Sequence, residues 1–299
     1  ALVAAVVKMK SNGNCNSKTL NHTLNHTNDG FVTKHFSSPN AKEWNTASLS
    51  GLPNDCAVKQ IIVDSAQARL CYATKDALYT SQDGSTWTST PFPKQNHSMV
   101  RLLACLSDAS IALVKDENQD YYLATMSKDL QLTPITGVLA DDFAVQGFTV
   151  LNYTGMSHRE YVMLYGGYDK MGTMVNGRWV LECKSNGQQV EYRLVNLSSE
   201  RPHAKAIVGA GLVQYGDYLY SFGGLYSDLQ VCHQVYVSKD EGMNWQPVDT
   251  THFAYPQEAV GRYNQTIMVH EDNIYLVGGQ NQNSHFTDVY VGRLNSITW

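Results

Sequence analysis

The fold is decided by three stretches with the same ending: YVMLYGG at 161–167, YLYSFGG at 218–224 and IYLVGG at 274–279. Each is a short run of β-branched and aromatic residues that stops at a Gly-Gly pair, which is typical of a strand followed by a turn. The pairs recur at intervals of roughly 55 residues, a period found in repeat proteins in which each repeat supplies one sheet. The spacing therefore predicts a repeat architecture.

Similar runs occur through the rest of the chain, among them IIVDSA at 61–66 and RLLACLS at 101–107. No stretch shows helical 3.6 periodicity, so we predict an all-β protein. A six-bladed β-propeller with four-stranded antiparallel blades fits this pattern, because radial closure protects the sheet edges. We expect one propeller over residues 1–299, with approximate blades at 1–52, 53–94, 95–140, 141–199, 200–256 and 257–299.

A second motif is a hairpin turn, present as SQDGSTW at 81–87 and as SKDEGMNW at 238–245. In such a turn Ser and Asp hydrogen-bond the backbone, Gly adopts positive φ and Trp folds back over the turn. We therefore predict structural roles for Ser81, Asp83, Gly84, Trp87, Ser238, Asp240, Gly242 and Trp245.

Composition excludes several classes of protein. The 299 residues are 43% hydrophobic and carry 22 Lys and Arg against 27 Asp and Glu, without a basic run, so we expect no nucleic-acid partner. No apolar run is long enough for a transmembrane segment. The chain begins with Ala, and we expect it to be part of a longer parent chain from which an N-terminal domain and a targeting segment are missing. We also expect a monomer.

The six cysteines show no metal-binding spacing such as CxxC. Cys71 and Cys105 lie in apolar strand-like runs, so we expect buried free thiols, with a disulfide or a reactive thiol as alternatives. His22 and His26 would stand about 13 Å apart on a strand. The sequence therefore predicts no metal and no cofactor.

The Gly-Gly strand ends resemble the kelch repeat, and the two hairpin turns resemble the Asp box of sialidase-like and other secreted propellers. The stretch 261–295, together with YLYSFGG and VYVSKDEGMNW, is most similar to an uncharacterised group of gut-bacterial lipoproteins. That group carries a six-bladed, galactose-oxidase-like kelch propeller behind a smaller N-terminal domain. The resemblance implies a secreted, periplasmic or cell-surface location in a bacterium, with a possible lipid anchor on the parent chain, and it implies no activity.

In kelch-type propellers the loops between blades and after the Gly-Gly strands gather at one end of the central channel, and the resemblance places a candidate site there. The ligand-binding candidates are Arg201, His203, Lys205, Glu258, Arg262, Tyr263, Tyr168, Asp169 and Tyr226. Arginine can hold a carboxylate through two bonds and tyrosine offers a stacking face, which suits polar ligands such as sugars. The alternative is that Arg201 and Arg262 pair with Glu200, Glu258 or Asp169 and only tie neighbouring blades together.

We predict a non-catalytic recognition module that binds a glycan or a protein partner at the channel mouth. The alternative is a glycan-active enzyme on the same face. A glycoside hydrolase would use Asp141, Asp142, Asp169 or Glu258 as its candidate acids. An enzyme like the sialic acid mutarotases would use Arg201, Arg262 and Glu258. A sialidase is disfavoured because Arg201-Pro202 lacks the Ile of the Arg-Ile-Pro element. A copper oxidase is disfavoured because adjacent Cys71 and Tyr72 point to opposite faces of a strand. No residue is assigned a catalytic role.

Overall fold

The computed structural model of the chain consists of β-strands joined by turns and loops. It describes residues 2–8, 19–25, 34–37, 45–46, 51, 61–64, 66–82, 86–185, 190–248, 261–270, 273–286 and 288–293. Over these ranges we find no helix with the length and apolar character needed to cross a bilayer. The chain divides into two compact units, Ala1–Leu139 and Ala140–Trp299.

Unit 1 contains three four-stranded antiparallel sheets, each formed by consecutive strands. The first sheet is β1 (Leu2–Lys8), β2 (Thr19–Asn25), β3 (Lys34–Ser37) and β4 (Asn45–Thr46). The second is β5 (Ile62–Asp64), β6 (Arg69–Ala73), β7 (Ala77–Ser81) and β8 (Thr88–Pro91). The third is β9 (Ser98–Cys105), β10 (Ser110–Lys115), β11 (Tyr121–Met126) and β12 (Leu132–Pro134).

Over its described residues, unit 2 contains two four-stranded sheets, one three-stranded sheet and a two-stranded ribbon. The fourth sheet is β13 (Thr149–Thr154), β14 (Glu160–Tyr165), β15 (Arg178–Ser185) and β16 (Val190–Asn196). The fifth is β18 (Gly211–Tyr215), β19 (Tyr218–Phe222), β21 (Val235–Ser238) and β22 (Gln246–Pro247). The ribbon pairs β17 (Ile207–Val208) with β20 (Leu225–Tyr226), and the sixth sheet is β23 (Thr266–His270), β24 (Asn273–Val277) and β25 (Val289–Arg293).

Neighbouring sheets within each unit pack through their apolar faces. The first strand of one sheet contacts the first strand of the next, as β5 does with β9 in unit 1, and as β13 does with β18 and β18 with β23 in unit 2. Strands β6, β10, β14, β19 and β24, the second strands of the second to sixth sheets, are buried on both faces along most of their length, and Ile111, Leu113 and Val162 have no exposed surface. A sheet covered on both sides reads as a continuous apolar run, which explains the short strand-like runs of the sequence.

The prediction of an all-β chain with four-stranded antiparallel sheets is confirmed. Five sheets have four strands among the described residues, and the sixth has three. The number of blades and their limits stay predictions.

Candidate functional site

The first two Gly-Gly pairs form the junctions between neighbouring sheets of unit 2. The Gly167 N–H donates to the Ile207 carbonyl at 2.9 Å, and the Gly224 N–H donates to the Arg262 carbonyl at 2.7 Å. Gly166 has φ 63°, and a Cβ built there would lie 2.2 Å from the Ile207 oxygen. A side chain does not fit, because the backbone of the next sheet occupies that space.

The same backbone pattern follows all three pairs. Tyr168 pairs with Gln146 ahead of β13, Leu225 pairs with Val208, and Gln280 pairs with Tyr263 ahead of β23. After each of these pairings the backbone turns back. The N–H groups of Val175, Cys232 and Phe286 then donate to the carbonyls of Gly167, Gly224 and Gly279 at 2.8–2.9 Å. Three equivalent loops result, 169–173, 226–230 and 281–284, and we call them together the recognition loops.

Side chains of the first and third loops hold their own turns. The Asp169 carboxylate accepts the N–H groups of Met171 and Thr173 at 2.9 and 2.8 Å. At the equivalent place Asn281 accepts the N–H groups of Asn283 and Ser284 at 2.9 and 2.8 Å. Asp169 therefore stabilises its own turn, and one of its carboxylate oxygens already accepts two backbone hydrogen bonds.

Asp228 of the second loop forms an exposed ion pair with Lys205, which lies before β17. The Lys205 ammonium bonds to the Asp228 carboxylate and lies 5.6 Å from the centre of the Tyr226 ring. The hydrogen bond from Lys205 lowers the pKa of Asp228. The second and third loops touch, because the Gln282 side-chain amide donates to the Leu229 carbonyl. Beside the first loop, Lys170 pairs with Asp141 at 2.5 Å.

His203 lies behind the second loop and is 1% exposed. Its Nδ1 is 3.0 Å from the Tyr226 hydroxyl, and its Nε2 is 3.2 Å from the Ser221 hydroxyl. The ring stacks on Tyr165 and meets Tyr236 edge-on. Burial lowers the pKa of His203 to about 4, so the imidazole is neutral at neutral pH.

The Tyr226 hydroxyl is held in its protonated form. Burial and its polar neighbours raise the pKa of Tyr226 well above the ordinary value. The pair of His203 and Tyr226 therefore acts as a fixed hydrogen-bonded unit that orients the half-buried tyrosine ring.

Arg262 is buried and fully engaged. Its guanidinium binds the Asp288 carboxylate through both terminal nitrogens, donates to the Gly278 carbonyl at 3.0 Å and stacks 3.7 Å above the Phe286 ring. At 1% exposure it offers no surface to a ligand. Arg262 thus forms a structural ion pair with Asp288, which directly precedes β25 of the same sheet and is not one of the acids expected from the sequence, Glu200, Glu258 and Asp169.

The remaining candidates fall into different surroundings. Arg201 is half-buried and donates to the Ser198 carbonyl, and Tyr263 exchanges backbone bonds with Gln280 at 2.9 Å. Glu258 lies outside the described residues. Lys205, Tyr226, Tyr168 and Asp169 thus lie on or beside the recognition loops, whereas His203 and Arg262 lie beneath them.

The second hairpin turn is held by its own side chains. The Ser238 hydroxyl donates to Asp240 at 2.8 Å and accepts the Gly242 N–H at 2.7 Å, while the Trp245 indole donates to the Gly242 carbonyl at 2.9 Å. Gly242 has φ 86°, and its missing side chain leaves room for Arg178. In the first copy Ser81 and Trp87 are buried, and Asp83 and Gly84 lie outside the described residues.

Sequence analysis missed Arg178, which is fully buried at the start of β15. Its guanidinium donates to the carbonyls of Glu200 and Glu241 at 2.6 and 3.3 Å. It thereby joins the fourth sheet to the hairpin turn of the fifth. The only local signal was that Arg178 is the first residue of an apolar run. Nothing in that run identified Glu200 and Glu241 as its partners.

Comparison with known proteins identifies the family. The model of the DUF6242 beta propeller domain matches residues 12–299, and the chain belongs to this family. No curated protein matches the chain. Among solved structures, one titled "Structure of YjhT" has a TM-score of 0.59 at 12% identity and covers 96% of this chain and 93% of that chain. The chain is therefore a β-propeller, and these matches establish its fold without an activity.

Proposed function

We propose that this DUF6242-family propeller is a non-catalytic recognition module that binds a glycan with its recognition loops. One observation carries the proposal: three equivalent loops follow the Gly-Gly pairs of neighbouring sheets, and these loops present polar groups to solvent. Loops on a rigid scaffold are where propellers and other repeat folds place binding residues.

The exposed groups suit a ligand rich in hydroxyls. The ammonium of Lys205 retains donors beyond its bond to Asp228, and the Asp228 carboxylate retains free lone pairs. A sugar with neighbouring hydroxyl groups can donate to the carboxylate and accept from the ammonium at once. The amide side chain of Gln282 adds a further hydrogen-bonding group in the adjoining loop.

The titration behaviour of the same region favours binding over turnover. Proton transfer is most effective when the pKa of the catalytic group lies near the working pH. The pKa of His203 is lowered to about 4 and the pKa of Tyr226 is raised, so neither group changes its charge near neutrality. The glycan-active enzyme remains the alternative that turnover assays address.

A protein ligand is a second candidate, and two exposed apolar side chains favour it. Met171 is 80% exposed in the first loop, and Leu229 is 62% exposed in the second. Methionine is enriched in protein interfaces, and exposed apolar side chains on loops can supply contact area there.

The finer architecture and the location belong to the same proposal. Six blades are supported by the six sheets, with β23–β25 as the sixth. The glycine junctions support the kelch type, and the hydrogen bonds of the Ser238 turn support the Asp-box type. A secreted, periplasmic or cell-surface location in a bacterium, with a lipid anchor on the parent chain, rests on the resemblance of the sequence.

A glycan array followed by calorimetry tests the proposal with variants Lys205→Ala, Asp228→Asn and Gln282→Ala. Arg193→Ala is the matched control, because this arginine is 70% exposed on the outer strand β16. We expect each loop variant to weaken glycan binding at least about 10-fold, equal to about 1.4 kcal/mol, and the control to bind like the wild type.

Three outcomes contradict the proposal in distinct ways. Glycan binding that survives all loop variants places the site elsewhere. Cleavage or conversion of a bound glycan makes the protein an enzyme. No glycan binding, together with capture of a defined protein ligand that Met171→Ser and Leu229→Ser abolish, establishes the protein-binding candidate.

A further inference from the structure

Two thiols and a carboxylate converge in unit 1, far along the chain from the recognition loops. The ligand atoms of Asp64, Cys71 and Cys105 all lie within 4.8 Å of one another. Asp64 is 4% exposed, Cys71 is 1% exposed and Cys105 is half-buried. Both cysteines are free thiols.

The register of the second sheet explains how these groups meet. Ile62 on β5 is opposite Cys71 on β6, and Asp64 is opposite Arg69. Because side chains alternate along a strand, all four project from one face of the sheet. Strand β9 of the third sheet packs against β5 and β6 and brings Cys105 to that face.

We propose that Asp64, Cys71 and Cys105 bind a zinc ion that links the second and third sheets. Two thiolates and one carboxylate form a zinc ligand set, and water can complete a tetrahedron. Thiolates at a Zn–S distance of about 2.3 Å stand roughly 3.8 Å apart in a tetrahedral site. The three ligand atoms, all within 4.8 Å of one another, are therefore within about 1 Å of that separation.

Neighbouring groups supply the outer layer that metal sites require. The Asp64 carboxylate accepts the Arg69 Nε–H at 2.9 Å through one oxygen and the Gln67 N–H at 3.2 Å through the other. These bonds fix the orientation of the carboxylate while leaving lone pairs on both oxygens. The Ser110 hydroxyl donates to the Cys105 sulfur at 3.5 Å.

The charges of such a site also balance. Two thiolates neutralise a divalent zinc ion, and Arg69 neutralises Asp64. A charge-neutral assembly is what a buried position tolerates, because an uncompensated buried ion carries a large desolvation penalty. A disulfide between the two cysteines would use neither Asp64 nor its bond to Arg69.

The test is titration of the full chain, reduced and then freed of reductant, with Co²⁺ and with Zn²⁺. We expect one Co²⁺ per chain, with a near-ultraviolet thiolate charge-transfer absorption that Zn²⁺ removes. Cys71→Ser and Cys105→Ser should each lower the affinity by more than about 100-fold, and Arg69→Gln by about 10-fold to 100-fold. Cys183→Ser is the matched control, a buried strand cysteine in unit 2, and should bind like the wild type.

Circular dichroism of each variant separates loss of the site from loss of the fold, and the half-buried Cys105 offers the mildest substitution. The proposal is overturned if the reduced wild type binds no Co²⁺, or if binding persists in the folded Cys105→Ser variant. It is equally overturned if mass spectrometry shows that the two thiols form a disulfide in air-exposed protein even with Zn²⁺ present.

Discussion

Among the described residues, the two units connect the second and third strands of their sheets in different ways. In unit 1 the connections 74–76 and 116–120 are tight hairpins held by side chains. Thr74 accepts the N–H groups of Asp76 and Ala77 at 3.2 and 3.0 Å, and Asp116 plays the same part in the next sheet. In unit 2 the corresponding connections 166–177, 223–234 and 278–288 are long excursions that begin with Gly-Gly.

Sheets with the same strand order can therefore carry either a tight hairpin or a long loop between their second and third strands. A capped hairpin satisfies its own backbone and needs nothing from the next sheet. A glycine junction brings two sheets into backbone contact and leaves a long loop beyond it. Two of the recognition loops are therefore anchored by the neighbouring sheet, and the second of them carries Tyr226 and the exposed Asp228, which pairs with Lys205 of the segment before β17.

The largest effect is expected from Gly166→Ala, which breaks the contact between sheets. A left-handed backbone costs a side chain about 1–2 kcal/mol, and the clash with the Ile207 oxygen adds about 1–3 kcal/mol. The matched control is Gly216→Ala, whose φ of 56° is similar but whose Cβ would meet nothing within 4 Å. Urea denaturation should give a loss of roughly 3–4 kcal/mol for Gly166→Ala and about 1 kcal/mol for the control. Equal losses of unfolding free energy in the two variants would contradict the close approach of Gly166 to the Ile207 carbonyl.

His203 should make unit 2 sensitive to acid. Its folded pKa of about 4 lies below the ordinary 6.5, so the unfolded chain binds the proton first. The stabilisation is complete above pH 6.5 and declines as the pH falls towards 4, by up to about 3 kcal/mol. Unfolding free energies at several pH values should show this decline in the wild type and in the exposed control His158→Asn, and a weaker decline in His203→Gln. Parallel curves for all three would disprove the assignment.

Asp288→Ala should lower the free energy of unfolding, because it removes the carboxylate that binds Arg262. Removing the carboxylate strands the buried Arg262 without its counter-ion, which costs about 2–3 kcal/mol after allowance for the half-exposed Asp288. Glu182→Ala is the control, because its pair with the exposed Arg193 spans 3.9 Å and contributes less than about 1 kcal/mol. Thermal unfolding of both variants measures the difference, and a control that loses as much as Asp288→Ala would refute the distinction.

The smallest effect concerns the hairpins of unit 1. Thr74→Val removes the hydroxyl that accepts two backbone N–H groups, and we expect a loss of about 1 kcal/mol. Thr88→Val, at an exposed position on β8, should change the unfolding free energy by less than about 0.5 kcal/mol. A neutral Thr74→Val would mean that backbone bonds alone hold the hairpin.

Much of the fold follows from local patterns in the sequence. The apolar runs predicted buried strands because side-chain alternation and strand length are properties of neighbouring residues. The Gly-Gly pairs marked their ends because positive φ is a property of single residues, and the hairpin residues Ser238, Asp240, Gly242 and Trp245 lie close together in the chain. These signals sufficed for an all-β chain with four-stranded antiparallel sheets.

The side-chain chemistry was decided by tertiary structure. The sequence alone determined which polar residues follow each Gly-Gly pair, but only packing showed that Lys205 reaches the surface while His203 and Arg262 are buried. The partner Asp288, the buried Arg178 and the cluster of Asp64, Cys71 and Cys105 depend on contacts between strands or sheets far apart in sequence. A local pattern records the conformation of a segment, whereas burial, charge pairing and metal-ligand geometry arise from which other segments cover it.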